Sequence, residues 1–134
     1  WQASEFSGIV CCAMDARRSQ VYHARFLAEN GTLTRLCPDC AVSLDEVRLA
    51  LENCEKPKIM VGDGAQLCYN TCLDMGIPAV LAPGNLVSQS AWGVAMAAFG
   101  QTPAPAEELL PVYLRLSQAE RERQARLAAQ AAQE

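Results

Sequence analysis

From Ile9 to Leu36 the chain reads "IVCCAMDARRSQVYHARFLAENGTLTRL", two kinds of strand pattern broken by polar turns. Ile9–Asp15 is a continuous apolar run closed by an aspartate, the pattern of a strand covered on both faces. Gln20–Leu27 alternates instead. Val21, His23 and Arg25 fall on one side, and Tyr22, Ala24 and Phe26 on the other, as in a half-buried strand. The polar segment "DARRSQ" between the two runs reads as a hairpin turn. Asn30-Gly31 marks a second turn, because both residues tolerate positive φ. Thr32–Leu36 is then the returning strand, and the first 36 residues form a three-stranded antiparallel meander.

Beyond the meander the period changes. Ser43 and Glu46 have capping-box spacing, and Leu44, Val47 and Leu51 share one helical face. "KIMV", Lys58–Val61, is a short apolar strand that runs into Gly62-Asp63-Gly64. A helix is expected from about Ala65 to Met75, a short strand at Ala79–Leu81, and an Ala-rich helix over Leu86–Phe99 that Gly100 stops. The order β-β-β-α-β-α-β-α is that of the ribonuclease-H-like α/β fold, with a mixed sheet and helices on both faces. The same unit, duplicated, builds the actin-like ATPases. After it come a Pro-rich connector, an extended "LLPVYLRL" in which Tyr113 and Leu114 are expected to bury, and a polar helix that Ser117 and Glu120 would cap. The expected organisation is residues 1–8 as a linker remnant, 9–100 as the lobe, 101–116 as an extended strap and 117–134 as a polar C-terminal helix.

The 134 residues suffice for one domain with a real core, and 51% of them are hydrophobic. A net charge of −4 argues against broad nonspecific nucleic-acid binding, which needs a basic face. No apolar run is long enough to span a membrane. The start, "WQASEFSG", lacks the features of a signal peptide and an initiator Met, which suggests a piece of a longer protein. The seven cysteines are an odd number without a secretory signal, which fits the reducing cytoplasm. Cys11, Cys12, Cys68 and Cys72 lie in apolar patterns and read as small core residues.

Several constellations carry chemistry. Asp15 and Asp63 end strands that are neighbours in this fold. Paired carboxylates there could hold Mg²⁺ for phosphoryl transfer, with Asp74 and Glu46 as the nearest further acids. They could equally fix a turn and a helix start. Gly62, Asp63 and Gly64 form a strand-to-helix turn suited to an anion or nucleotide, but without a G-x-G-x-x-G or Walker pattern. Cys37 and Cys40 form a C-x-x-C. Zinc would need a second ligand pair, and a redox motif should open a helix, whereas this helix begins only at Ser43. They read as loop thiols that air can oxidise. His23, the one histidine, lies mid-strand and reads as a cross-strand residue. No metal ligand set and no cofactor is predicted.

Three segments taken together carry a family resemblance: "MDARRSQVY" after the first strand, "VGDGA" after the fourth, and "LLPVYLRLSQAERE" near the end. Over about residues 1–122 the chain resembles the C-terminal half of the TsaB family, bacterial glycoprotease-like proteins needed to make threonylcarbamoyladenosine in tRNA. The resemblance implies an actin-like lobe and a cytoplasmic, non-catalytic subunit that assembles with and activates the TsaD transferase. TsaE is implied as a third partner, with tRNA met only through the complex and a homodimer left open. The family's N-terminal lobe, expected to carry most of the partner helices, has no counterpart here. Where an actin-like ATPase keeps a glycine in its phosphate loop, this chain has Asp15-Ala16-Arg17-Arg18-Ser19, and bulkier residues hinder close approach of phosphate. The residues expected to meet an anion or a partner are Asp15, Arg17, Arg18, Tyr113 and Arg115, with Gly62, Asp63 and Gly64 as a vestigial nucleotide turn. The alternative reading is a metal-dependent ribonuclease-H-like enzyme built on Asp15 and Asp63.

Overall fold

The computed structural model describes residues 1–116 and 118–131. The chain divides into two units, Trp1–Pro103 and Ala104–Glu134.

The first unit holds a six-stranded mixed sheet. Strands β1 (Gly8–Asp15), β2 (Gln20–Glu29) and β3 (Thr32–Arg35) form the expected antiparallel meander. Asn30 and Gly31 make its second turn, with φ of 53° and 74°. Strand β5 (Lys58–Val61) lies parallel to β1 on the side away from β2, and β6 (Val80–Leu81) lies parallel to β5. The order β3-β2-β1-β5-β6, three antiparallel strands followed by parallel ones, is the ribonuclease-H-like arrangement.

A fourth strand enters before the first helix, which the sequence reading placed in a loop. Strand β4 (Cys40–Ser43) pairs with Gln20–His23 of β2, while β3 pairs with Phe26–Glu29. The outer edge of the ten-residue β2 is therefore shared by two four-residue strands. Sharing it satisfies backbone groups that β3 alone would leave open.

Helix α1 (Leu44–Glu52) starts at the expected capping box. Ser43 Oγ accepts the N–H of Glu46, and the Glu46 carboxylate accepts the N–H of Ser43 at 2.7 Å. Val47 and Leu51 then point into the sheet. With Cys68 and Cys72 of α2 (Ala65–Asp74) they close a core over Ile9, Cys11, Ala13, Val21 and Met60. The opposite face is smaller. Val10, Ala28, Ile59 and Ala82 pack there with Ala3 and Phe6 of the N-terminal segment and with Leu86 and Val87.

The single helix expected over Leu86–Phe99 is two helices, α3 (Gly84–Val87) and α4 (Ala91–Ala98). The break has a local cause. Ser90 takes an extended conformation, and its hydroxyl accepts the N–H of Gly93 at 3.1 Å, making Ser90 an N-cap. Val87, meanwhile, gives its carbonyl to the N–H of Gly62 at 2.6 Å.

In the second unit a short 3₁₀ turn (Ala106–Glu108) precedes an irregular segment, and helix α5 runs from Gln118 to Ala131. Tyr113 is 86% exposed rather than buried, and Leu114 is half-buried. No strand or helix forms over Leu109–Leu116 to shelter the ring. The expected cap Ser117 lies outside the described residues.

Candidate functional site

The C-terminal ends of β1 and β5 lie side by side, as the topology requires, and bring Asp15 and Asp63 together. Asp63 Oδ1 accepts the backbone N–H of Asp15 at 3.1 Å. The Asp15 carboxylate turns the other way. Its Oδ1 accepts the N–H of Arg17 at 2.7 Å, and its Oδ2 pairs with Arg17 Nη1 at 3.2 Å. Asp15 is thus spent on its own hairpin turn, while Asp63 ties the β5–α2 turn to the end of β1.

The loop makes this geometry through an uncommon backbone. Arg17, Arg18 and Ser19 all have positive φ, at 64°, 57° and 56°. Left-handed conformation costs a non-glycine residue roughly 1–2 kcal/mol, so three in succession need support. The hairpin bond from Ala16 N–H to Gln20 O gives some, as does the N–H of Leu44 donating to Ser19 O at 3.1 Å. The Asp15 carboxylate adds to it by accepting one backbone N–H and one guanidinium N–H of Arg17. Arg17 and Arg18 remain exposed at the tip.

The glycine turn is explained by packing. A Cβ on Gly62 would lie 2.0 Å from the carbonyl oxygen of Ala13, and Gly62 has φ of +100°. A Cβ on Gly64 would lie 3.0 Å from Asp15 N. The Gly64 N–H donates to Ala13 O at 3.0 Å, and the Gly62 N–H to Val87 O. Both glycines let the β5–α2 turn lie directly against the end of β1. Their N–H groups, which would cradle an anion, are used inside the fold.

The remaining sequence-predicted residues lie elsewhere. Tyr113 and Arg115 belong to the second unit, where Arg115 is half-buried. His23 is buried on β2, and its Nδ1 bonds to the carbonyl of Cys12 at 2.9 Å, with burial pushing its pKa below the ordinary value. Among the described residues no three His, Cys, Asp or Glu side chains gather as a metal site. One buried charge escaped the sequence reading. Lys58 opens β5 inside the fold and donates from Nζ to the carbonyls of Cys54 and Lys56, just past the end of α1. A lysine inside an apolar strand pattern is the signal that would have found it, and its role is to satisfy those carbonyls.

No known family profile matches the chain. It is 28% identical over 116 residues to the tRNA threonylcarbamoyladenosine biosynthesis protein TsaB of Bacillus subtilis, a match covering 86% of this chain and 51% of that protein. The chain thus spans about half the length of that relative. Among solved structures, an uncharacterized Pseudomonas aeruginosa protein with similarity to peptidase YEAZ superposes with a TM-score of 0.55 at 24% identity, covering 84% of this chain and 52% of the other. That likeness supports the fold. The family resemblance read from the three sequence segments is borne out: over most of its length this chain is similar to about half of a TsaB protein.

Proposed function

We propose that the chain serves in the formation of threonylcarbamoyladenosine in tRNA as a non-catalytic subunit that assembles with the TsaD transferase and activates it, with TsaE joining the pair. The role in this pathway rests on the similarity to TsaB. The non-catalytic part rests on one observation, the bonding of the Asp15 carboxylate to Arg17 at 2.7 Å and 3.2 Å. A loop that has folded its own carboxylate onto its anion donors is poorly placed to bind a phosphate. A metal-dependent phosphoryl-transfer role for Asp15 and Asp63 draws support from their adjacency, but Asp15 is engaged with Arg17 in its own turn and Asp63 with the backbone N–H of Asp15. Arg17 and Arg18 are exposed and suit an acidic partner surface, as the planar guanidinium does generally.

The test is activation of TsaD. The chain is placed in the Bacillus subtilis relative in exchange for the segment it matches, and purified TsaD is assayed with the chimera. Stimulation at the level of the parent protein is expected. A folded chimera that TsaD binds without being stimulated overturns the assignment.

A further inference from the structure

The connection from β3 to β4 carries two thiols that the proposed role leaves unused. Cys37 Sγ accepts the backbone N–H of Arg25 at 3.2 Å, and the Cys40 thiol donates to the carbonyl of His23 at 3.4 Å. His23 and Arg25 are two residues apart on β2, so these groups point to the same edge of the strand, the edge that β3 and β4 share. Both sulfurs are thus held against neighbouring backbone groups on one side of one strand. Only Pro38 and Asp39 separate them in the chain, and the proline ring fixes one of the intervening φ angles. Arg35 braces the loop, donating to Cys37 O at 3.3 Å and to the Asp39 carboxylate at 2.7 Å. Both cysteines are free and half-buried, within reach of a small oxidant.

We propose that Cys37 and Cys40 form a dithiol site that hydrogen peroxide closes to an intramolecular disulfide. One thiolate attacks the peroxide oxygen, the O–O bond breaks, and a sulfenic acid and one water result. The second sulfur then attacks the sulfenic sulfur, the S–O bond breaks, and the hydroxyl leaves with a proton as a second water. Two electrons pass from the sulfurs to the peroxide, and both thiol protons end in water. The bridge removes the S–H that Cys40 gives to His23 and pins the first residue of β4 to the loop before it. The core thiols are unsuited to this chemistry. Cys11, Cys68 and Cys72 are fully buried among apolar side chains, away from a dissolved oxidant, whereas Cys37 and Cys40 are half-buried.

The sequence makes the test clean, because trypsin releases Leu36–Arg48 with both cysteines and no other. Reduced, folded protein is treated with stoichiometric hydrogen peroxide, trapped with N-ethylmaleimide, digested and weighed. The expected peptide is unalkylated and two hydrogen masses lighter than its reduced form, and becomes doubly alkylated when dithiothreitol precedes trapping. The Cys37→Ser variant is expected to yield no bridged peptide. Oxidation of Cys12 or Cys54 while Leu36–Arg48 stays doubly alkylated overturns the proposal, as does a Cys12–Cys37 cross-link. Mapping of the unsubstituted protein decides the matter even where the variant fails to fold.

Discussion

The backbone N–H of Asp15 donates to the carboxylate of Asp63 at 3.1 Å, joining the end of β1 to the turn that opens α2. A charged acceptor on a backbone N–H is stronger than a neutral one, but this bond is exposed to water. Asp63→Ala is therefore expected to cost about 0.5–1.5 kcal/mol. Urea unfolding measures it, and an unchanged midpoint would mean that the bond contributes nothing.

Gly62 and Gly76 separate two reasons for glycine. Both have positive φ, but only Gly62 has backbone within reach of a Cβ, at 2.0 Å from Ala13 O. Gly76→Ala should cost about 1 kcal/mol, the left-handed penalty alone. Gly62→Ala should cost roughly 3 kcal/mol or more, because the β5–α2 turn must move off β1. Equal losses in chemical denaturation would remove the close-approach explanation.

Ser43→Ala is expected to lower stability by about 1 kcal/mol, the usual value of an N-cap. The same change should be visible at Glu46. Its carboxyl titrates below the ordinary range first because the backbone N–H of Ser43 donates to it, and second because of the Ser43 hydroxyl. NMR titration of Ser43→Ala should show the Glu46 pKa rising partway, since the backbone bond survives. No rise would mean that the hydroxyl does not act on it.

His23 gives the fold a dependence on pH. Burial lowers its pKa in the folded chain, the Cys12 carbonyl opposes that shift, and Arg25 adds to it. The folded state therefore prefers the neutral ring. Its contribution is complete above the unfolded value of about 6.5 and is lost as pH falls below that toward the folded pKa. The slope cannot exceed about 1.4 kcal/mol per pH unit for one proton. His23→Asn should flatten the stability profile between pH 6.5 and pH 5 relative to the parent. Parallel profiles would contradict it.

What could be read from the sequence follows physical range. The period-two alternation of Gln20–Leu27 and the Asn30-Gly31 turn are local signals, and both strands stand where they were expected. The adjacency of Asp15 and Asp63 was legible too, because the order of strands alone fixes it. β4 was not. "CAVS" is four residues with no apolar alternation of its own, and it is a strand only because β2 has edge to spare. The break between α3 and α4 turned on whether Ser90 caps a helix or continues one, which composition does not decide. The turning of Asp15 onto Arg17 was out of reach, since it requires left-handed arginines and nothing in "DARRSQ" signals them.

The proposed role is read directly in the threonylcarbamoyladenosine content of tRNA from cells that lack TsaB. The cells are supplied with the chimera that carries this chain in exchange for the segment it matches in the Bacillus subtilis relative. Restored modification is expected from the chimera and from its Asp15→Asn/Asp63→Asn form alike, since both carboxylates are taken up by hydrogen bonds within the fold. Absence of modification with a folded, expressed chimera would contradict the assignment to this pathway. Restoration by the chimera but not by its double variant would contradict the non-catalytic role.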